Sequence, residues 1–304
     1  MQTILRADSL CKKYGSTIAV DNISFDIYSG EIFGFLGPNG AGKTTTIKMM
    51  CGLLKPDGGS VSINSGNRSS SIGICPQNIV VWENLSCIEQ VIFMGTMYNM
   101  TASDSESKAK ELLESLGLTQ VKDRLAKNLS GGMQRRLNIA LALIHSPEIL
   151  FLDEPQAGLD PQSRVLVRDY IRSIRNQTTI VLTTHDMEEA EKLSDRICII
   201  DNGKILITGN AAEIKKISGY EDVVELDIEG DIANNLIPFI DPELTLKMTI
   251  TDNRVAFSVK DPISAASGLL DVISSRNLKV SNLRLRKTSL EDIFISLTGR
   301  KIRE

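Results

Sequence analysis

The segment Gly37-Pro38-Asn39-Gly40-Ala41-Gly42-Lys43-Thr44 has the spacing G-x-x-x-x-G-K-[ST]. Residues of these types in this order suit phosphate chemistry. Glycines let the backbone turn tightly enough for successive N–H groups to converge on phosphate oxygens. The N-terminus of a following helix adds a partial positive charge. Lys43 would reach the β- and γ-phosphates, the Thr44 hydroxyl would ligate Mg²⁺, and Thr45 continues the same helical turn. A second group, Ile149-Leu150-Phe151-Leu152-Asp153-Glu154, is an apolar run that ends in two carboxylates. Buried carboxylates without partners cost several kcal/mol, and Mg²⁺ supplies a partner for Asp153. Glu154, one residue on, is placed to take a proton from an attacking water. Alone, such an ending is common among strands; downstream of a phosphate loop it becomes specific.

These groups need particular elements to hold them. The strand-like EIFGFLG precedes the loop and the helical TTIKMMCGLL follows it, which is the setting a phosphate loop requires. SFDI, GSVSIN and SIGICP read as short strands bounded by turn residues. ILFLDEP and TTIVLTTH are near-continuous apolar runs, the mark of parallel strands buried on both faces. DRICIIDNGKILITG supplies closing strands. Between Gln77 and Ser130, IEQVIFMGTMYN and SESKAKELLESLGL carry helical spacing, with Gly117 suited to ending the second helix. The expected architecture is α/β with a helical insertion at about 78–130. From about residue 219 the pattern resets. VVELDI, a short helix in IANNLIPFI, a hairpin of LTLKMTI and RVAFSVK about Thr251, Asp252 and Asn253, the helix ISAASGLLDVISSRN and the strand VSNLRLR follow in the order β-α-β-β-α-β. That is a ferredoxin-like α+β unit, closed by a helix SLEDIFISLTG with Ser289 as its N-cap. The expected domains are 1–218 and 219–304.

The 304 residues fit two domains at about 100–200 residues each. Hydrophobic residues at 42% and charged residues at 24% make a chain able to bury a core, which excludes disorder as the main state. A net charge of −4 argues against bulk electrostatic binding to DNA or anionic lipid, and no nucleic acid is expected as a partner. Five scattered cysteines with no C-x-x-C pair read as reduced, mostly buried thiols. No apolar run reaches the length of a membrane span, and the N-terminal residues lack the apolar stretch of a signal peptide.

The phosphate loop, Leu129-Ser130-Gly131-Gly132-Met133, Asp153-Glu154-Pro155, Gly158-Leu159-Asp160-Pro161 and a His185 closing TTIVLTTH, in that order, closely resemble an ABC-transporter ATPase over about residues 1–215. The resemblance implies that ATP and Mg²⁺ are bound. It implies that Tyr14 stacks on adenine, that Gln77 touches Mg²⁺ or the water, and that Ser130, Gly131 and Gly132 contact the γ-phosphate held by an opposite protomer. Asp160 would lie at the dimer interface and His185 would contact the γ-phosphate. Physical reasons run alongside: Ser130-Gly131-Gly132 opens a helix, a second anion-suited N-terminus, and a neutral His185 can donate to a phosphate oxygen. His145, before Pro147, reads as structural. Trp82 reads either as core or as part of a surface that meets a membrane subunit.

Two departures stand out. Members commonly carry Gln where Met133 stands, and Thr or Ser where Gln156 stands. Signature LSGGM followed by Gln134-Arg135-Arg136, together with the C-terminal SLEDIFISLTGRKIRE, is similar to the branch that exports drugs, sodium or polysaccharides. The small domain carries no His, Cys or Gly-rich loop, so a regulatory or dimer-stabilising role is expected. Its basic residues Arg284, Arg286, Lys287, Arg300, Lys301 and Arg303 read as a solvated face. The implied protein is a cytoplasmic, membrane-peripheral ATPase subunit of an exporter, paired with a second ATPase protomer and a permease on a separate chain. Rivals are a soluble ABC ATPase acting on ribosomes or DNA, an importer subunit, and a nucleotide sensor without turnover.

Overall fold

In a computed structural model of the chain, residues 2–64, 71–217, 222–229, 247–251, 254–259, 261–276 and 278–298 are described. The chain divides into two compact units, Met1–Asn210 and Ala211–Ile302. The second therefore begins with its first helix, ahead of the sequence-based boundary at 218/219.

The first unit is built on a six-stranded sheet. Its strands are β3 (Ile32–Leu36), β5 (Ile72–Cys75), β6 (Ile149–Asp153), β7 (Thr179–Thr184), β8 (Arg196–Asp201) and β9 (Lys204–Gly209). Their order is β5-β6-β7-β3-β8-β9, parallel throughout except for the edge strand β9. Every residue of β3, β6 and β7 is buried. The alternation is nonetheless strict: Phe33, Phe35, Phe151 and Val181 enter one core, whereas Leu150, Leu152, Ile180 and Leu182 enter the other. Burial on both faces is why these strands read as unbroken apolar runs.

A three-stranded antiparallel sheet covers the first core, with β1 (Thr3–Tyr14), β2 (Thr17–Tyr28) and β4 (Gly58–Ile63) in the order β2-β1-β4. Its Leu5, Leu10, Val20 and Ile27 meet Phe33, Phe35 and the Ile47 and Met50 side chains of α1 (Lys43–Met50). SFDI proves to be only the end of a 12-residue strand, and β1 escaped detection because bulges break its alternation. The pairing shifts between Ala7 and Leu10, and Ser9 takes a φ of 51°. Gly59 makes room: a Cβ there would lie 2.2 Å from the Asp8 carbonyl oxygen.

Helices α2 (Cys87–Met97), α3 (Ala102–Ser115), α4 (Gly131–Leu143) and α5 (Pro161–Ile174) cover the other face. Each begins on a polar cap. Ser86 forms a reciprocal capping box with Glu89, and Thr101, Ser130 and Asp160 accept from the N–H groups of Asp104, Met133 and Ser163. Gly117, at φ 65°, closes α3. A short α6 (Met187–Leu193) follows β7.

In the second unit, α7 (Ala211–Ile217) precedes β10 (Asp222–Glu229), β11 (Lys247–Thr251), β12 (Arg254–Val259), α8 (Pro262–Ser275), β13 (Lys279–Lys287) and α9 (Leu290–Thr298). The antiparallel order β11-β12-β10-β13 is the one a split βαβ unit produces. Val224, Leu226, Val255 and Phe257 pack against Ala265, Leu269 and Ile273 of α8. Ser289 caps α9, its hydroxyl accepting from the Asp292 N–H while Asp292 accepts from the Ser289 N–H. Arg286 is not a solvated cation: it pairs with Glu225 at 2.6 Å and with Asp292. The helix expected within 232–240, the turn at Asp252 and Asn253, and Arg300, Lys301 and Arg303 lie outside the described residues.

All five cysteines are free, with Cys75, Cys87 and Cys198 buried. No helix among the described residues is long and apolar enough to cross a membrane.

Candidate functional site

The loop after β3 shows why its glycines stand where they do. A Cβ on Gly37 would lie 2.1 Å from the Ile200 carbonyl oxygen. Gly42, the residue before α1, has a φ of 104°, and a Cβ there would lie 2.3 Å from the Ala19 carbonyl oxygen. Both approaches are too close for any side chain. Pro38, Asn39 and Gly40 form the outer turn, Ala41 is buried, and Thr44 and Thr45 are half-buried in the first turn of α1. The first N–H groups of a helix have no partner within it, so this turn offers donors to an anion.

Lys43 is 5% exposed, and its Nζ donates to the carbonyls of Gly37 at 2.7 Å and Pro38 at 3.0 Å. It lies 3.9 Å from Glu154 Oε1. Burial lowers its pKa, and the nearby Glu154 and Asp153 carboxylates oppose that shift.

Glu154 is the hub. His185 Nδ1 lies 3.1 Å from its Oε1, and Gln77 Nε2 donates to its Oε2 at 3.5 Å. Its backbone takes a φ of 49°, a left-handed conformation that costs a non-glycine residue on the order of 1–3 kcal/mol. Thr183 secures it: the Glu154 N–H donates to the Thr183 Oγ1 at 3.0 Å, and the Thr183 hydroxyl donates to Asp153 Oδ1. Asp153 is 4% exposed, so a buried acidic oxygen stands beside the loop lysine and the catalytic candidate. Lys43, Gln77, Asp153, Glu154 and His185 thus meet at the ends of β3, β5, β6 and β7, the carboxyl ends of parallel strands where α/β sheets bind ligands.

The remaining sequence candidates stand apart from this cluster. Tyr14, at the end of β1, is 50% exposed. Ser130 and Gly131 are exposed, the Ser130 hydroxyl accepts from its own helix at Met133, and a Cβ on Gly131 would meet nothing within 4 Å. A Cβ on Gly132 would lie 3.7 Å from Asp160 Oδ2, which places Asp160 beside the signature loop. His145 stacks on Tyr98 at 3.7 Å and binds the Ile72 carbonyl through Nε2, a structural place. Trp82 is surface: 43% exposed, edge-on to Phe93 at 5.5 Å and near the exposed Ile79 and Val80 in sequence.

Three contributors were missed from sequence. Thr183 was hidden inside an apolar strand, and Arg135 stood only as one of the basic residues that follow the signature. The third is Glu189 on α6. Thr184 donates to its Oε2 at 2.7 Å, while its Oε1 is buried with no partner among the described residues. Burial pushes this carboxyl up to about 7 from 4.5. A raised pKa in the fold means that the stabilising contribution is complete below the unfolded value and is lost as pH rises through about 7. Between pH 5 and pH 8 the wild type should therefore lose about 2 kcal/mol relative to Glu189→Gln. Urea midpoints at the two pH values test this, and parallel pH dependence in both proteins would contradict it.

A family model described as ABC transporter matches residues 20–157. The chain is 36% identical over 317 residues to the linearmycin resistance ATP-binding protein LnrL of Bacillus subtilis, spanning 99% of this chain and 100% of that one. It is 34% identical to the daunorubicin/doxorubicin resistance ATP-binding protein DrrA of Streptomyces peucetius, over 97% of this chain and 92% of that one. It is 35% identical to the Nod factor export ATP-binding protein I of Ralstonia nicotianae, over 99% and 95% respectively. Among solved structures, an ATP-binding subunit of an ABC transporter superposes with a TM-score of 0.66 at 27% identity, covering 71% of this chain and 94% of that one. With the loop, the paired carboxylates and full-length relatives in agreement, the chain belongs to the ABC transporter family, as an ATP-hydrolysing subunit of the exporter type.

Proposed function

We propose that this subunit powers export of a substrate through a separate membrane permease, by closing and reopening a two-protomer sandwich around ATP. The observation that carries the chemical part is the Glu154 carboxylate, held between Lys43, Gln77 and His185 at the mouth of the phosphate loop. In this reading the loop from Gly37 to Thr45 binds the triphosphate and Lys43 exchanges the Gly37 and Pro38 carbonyls for β/γ-oxygens. Glu154 takes the proton of the attacking water, Gln77 and His185 orient the water and the γ-phosphate, and Tyr14 stacks on the adenine.

Mg²⁺ fits the donors present. Thr44, Gln77 and the buried Asp153 offer hard oxygens, and no cluster of three or more His, Cys, Asp or Glu among the described residues forms a protein-only cage. That is the usual setting for Mg²⁺, which takes one or two carboxylates and completes its shell with phosphates and water. When bound it would neutralise charge on the β- and γ-phosphates.

The dimer part rests on Ser130 and Gly131, whose helix N-terminus faces open space. An anion held by a second chain is the natural occupant, with Asp160 beside it at the same interface. The exposed Ile79, Val80, Trp82 and Phe93 follow Gln77 closely in sequence and suit an apolar permease contact. Such a contact would hold the ATPase on the inner face of the membrane. The 1–218 portion carries all of these residues, and the small C-terminal portion supports or regulates.

Ser130→Arg tests the sandwich. ATP binding to the single chain should be unchanged and hydrolysis abolished, and mixing with Lys43→Ala chains should restore at most one composite site. Unimpaired turnover in Ser130→Arg would show that the site is not shared between chains.

A further inference from the structure

Arg135 follows the signature loop on α4 and is 2% exposed. Its guanidinium donates to five backbone carbonyls. Nη1 reaches Pro76 at 2.6 Å and Gln77 at 2.9 Å; Nη2 reaches Asp153 at 2.5 Å and Glu154 at 2.7 Å; Nε reaches Pro155 at 3.2 Å. A guanidinium carries its N–H donors in one rigid plane. Here that plane bridges two stretches of chain, the turn after β5 that bears Gln77 and the end of β6 that bears both carboxylates.

The strained peptide of Glu154 gives the bridge its significance. A left-handed non-glycine residue persists only where its surroundings over-determine it. Thr183 holds the N–H side of Glu154, and Arg135 holds the carbonyl side. The direction in which the Glu154 side chain leaves the backbone depends on both.

We propose that Arg135 is a positioning residue for hydrolysis: from the first turns of the signature helix it sets the Glu154 and Gln77 peptides in one frame, so that carboxylate and amide keep their spacing about the water. It also makes α4 the element through which a displacement of the signature loop reaches both groups. This rests on the reading of Glu154 as the water-activating carboxylate. A lysine keeps the charge but offers its donors from a single point and does not span two segments.

The test uses the full chain with Arg135→Lys, Arg135→Gln, Glu154→Gln and the double variant Arg135→Lys/Glu154→Gln. We expect Arg135→Lys and Arg135→Gln to lower kcat by tenfold to a hundredfold while the KM for ATP stays within threefold. In the Glu154→Gln background, Arg135→Lys should lower the residual turnover by less than twofold, because the carboxylate it positions is already gone. Wild-type kcat in Arg135→Lys and Arg135→Gln, beside an inactive Glu154→Gln, overturns the inference and leaves the Glu154 reading standing. Wild-type turnover in Glu154→Gln overturns the Glu154 reading itself. Losses that multiply in the double variant, a rise in KM that matches the fall in kcat, or loss of folding by far-UV circular dichroism in both single variants would make Arg135 merely structural.

Discussion

Glu154→Gln should lower ATP hydrolysis by roughly two to four orders of magnitude, the range expected when a positioned acid–base group is removed, while ATP binding stays intact. Glutamine keeps the size and hydrogen-bonding reach of the side chain, so Gln77 and His185, at 3.5 and 3.1 Å from the two carboxylate oxygens, retain a partner. What disappears is the proton acceptor. A negative charge beside the γ-phosphate disappears with it, as does the pull on Lys43 from 3.9 Å. Repulsion in the ATP-bound state falls, so the closed pair of subunits should accumulate. A sizing column should show dimer with ATP and monomer without it, and phosphate release should be measured on the same preparation. Near-wild-type phosphate release would remove Glu154 from catalysis and leave His185 as the next base to examine.

Lys43→Ala should weaken ATP binding by more than tenfold. A charge-assisted hydrogen bond is worth about 1.5–3 kcal/mol, and tenfold in affinity is about 1.4 kcal/mol. Two features of the site support the upper part of that range. The ammonium is buried, so its field at the phosphates is little screened by water. It also ties the turn of the loop together by donating to the Gly37 and Pro38 carbonyls. Titration calorimetry with ATP checks this, and equal affinity in both proteins would contradict the assignment of Lys43 to the phosphates.

The phosphate-loop motif and the paired carboxylates of the candidate site were legible because their chemistry is local. A phosphate loop is a run of eight residues in which a Cβ on Gly37 or Gly42 would come within 2.1 or 2.3 Å of the Ile200 or Ala19 carbonyl oxygen, and spacing alone records that demand for glycine. The buried parallel strands were legible for a similar reason, since burial on both faces leaves an unbroken apolar run. The antiparallel sheet was half hidden, because the bulge at Ser9 and the shifts along β1 erase the two-residue period on which strand reading depends.

By itself, then, the sequence determined the buried parallel strands, the loop, the two carboxylates and the histidine that closes β7. Only the tertiary structure decided how these meet. It turned Glu154 into a strained, left-handed residue held by Thr183 and Arg135, and it drew Gln77 from the turn after β5 to its Oε2. It buried Glu189 with one oxygen unpaired among the described residues, and it paired Arg286 with Glu225 and Asp292 where the sequence suggested a solvated cation. The physical reason is one of range. Glycine conformation, helix caps and apolar periodicity act over a few neighbours and leave their mark in the chain. Hydrogen bonds from a guanidinium to carbonyls about 20 and 60 residues away depend on backbone atoms that every residue carries, and no side-chain pattern records them.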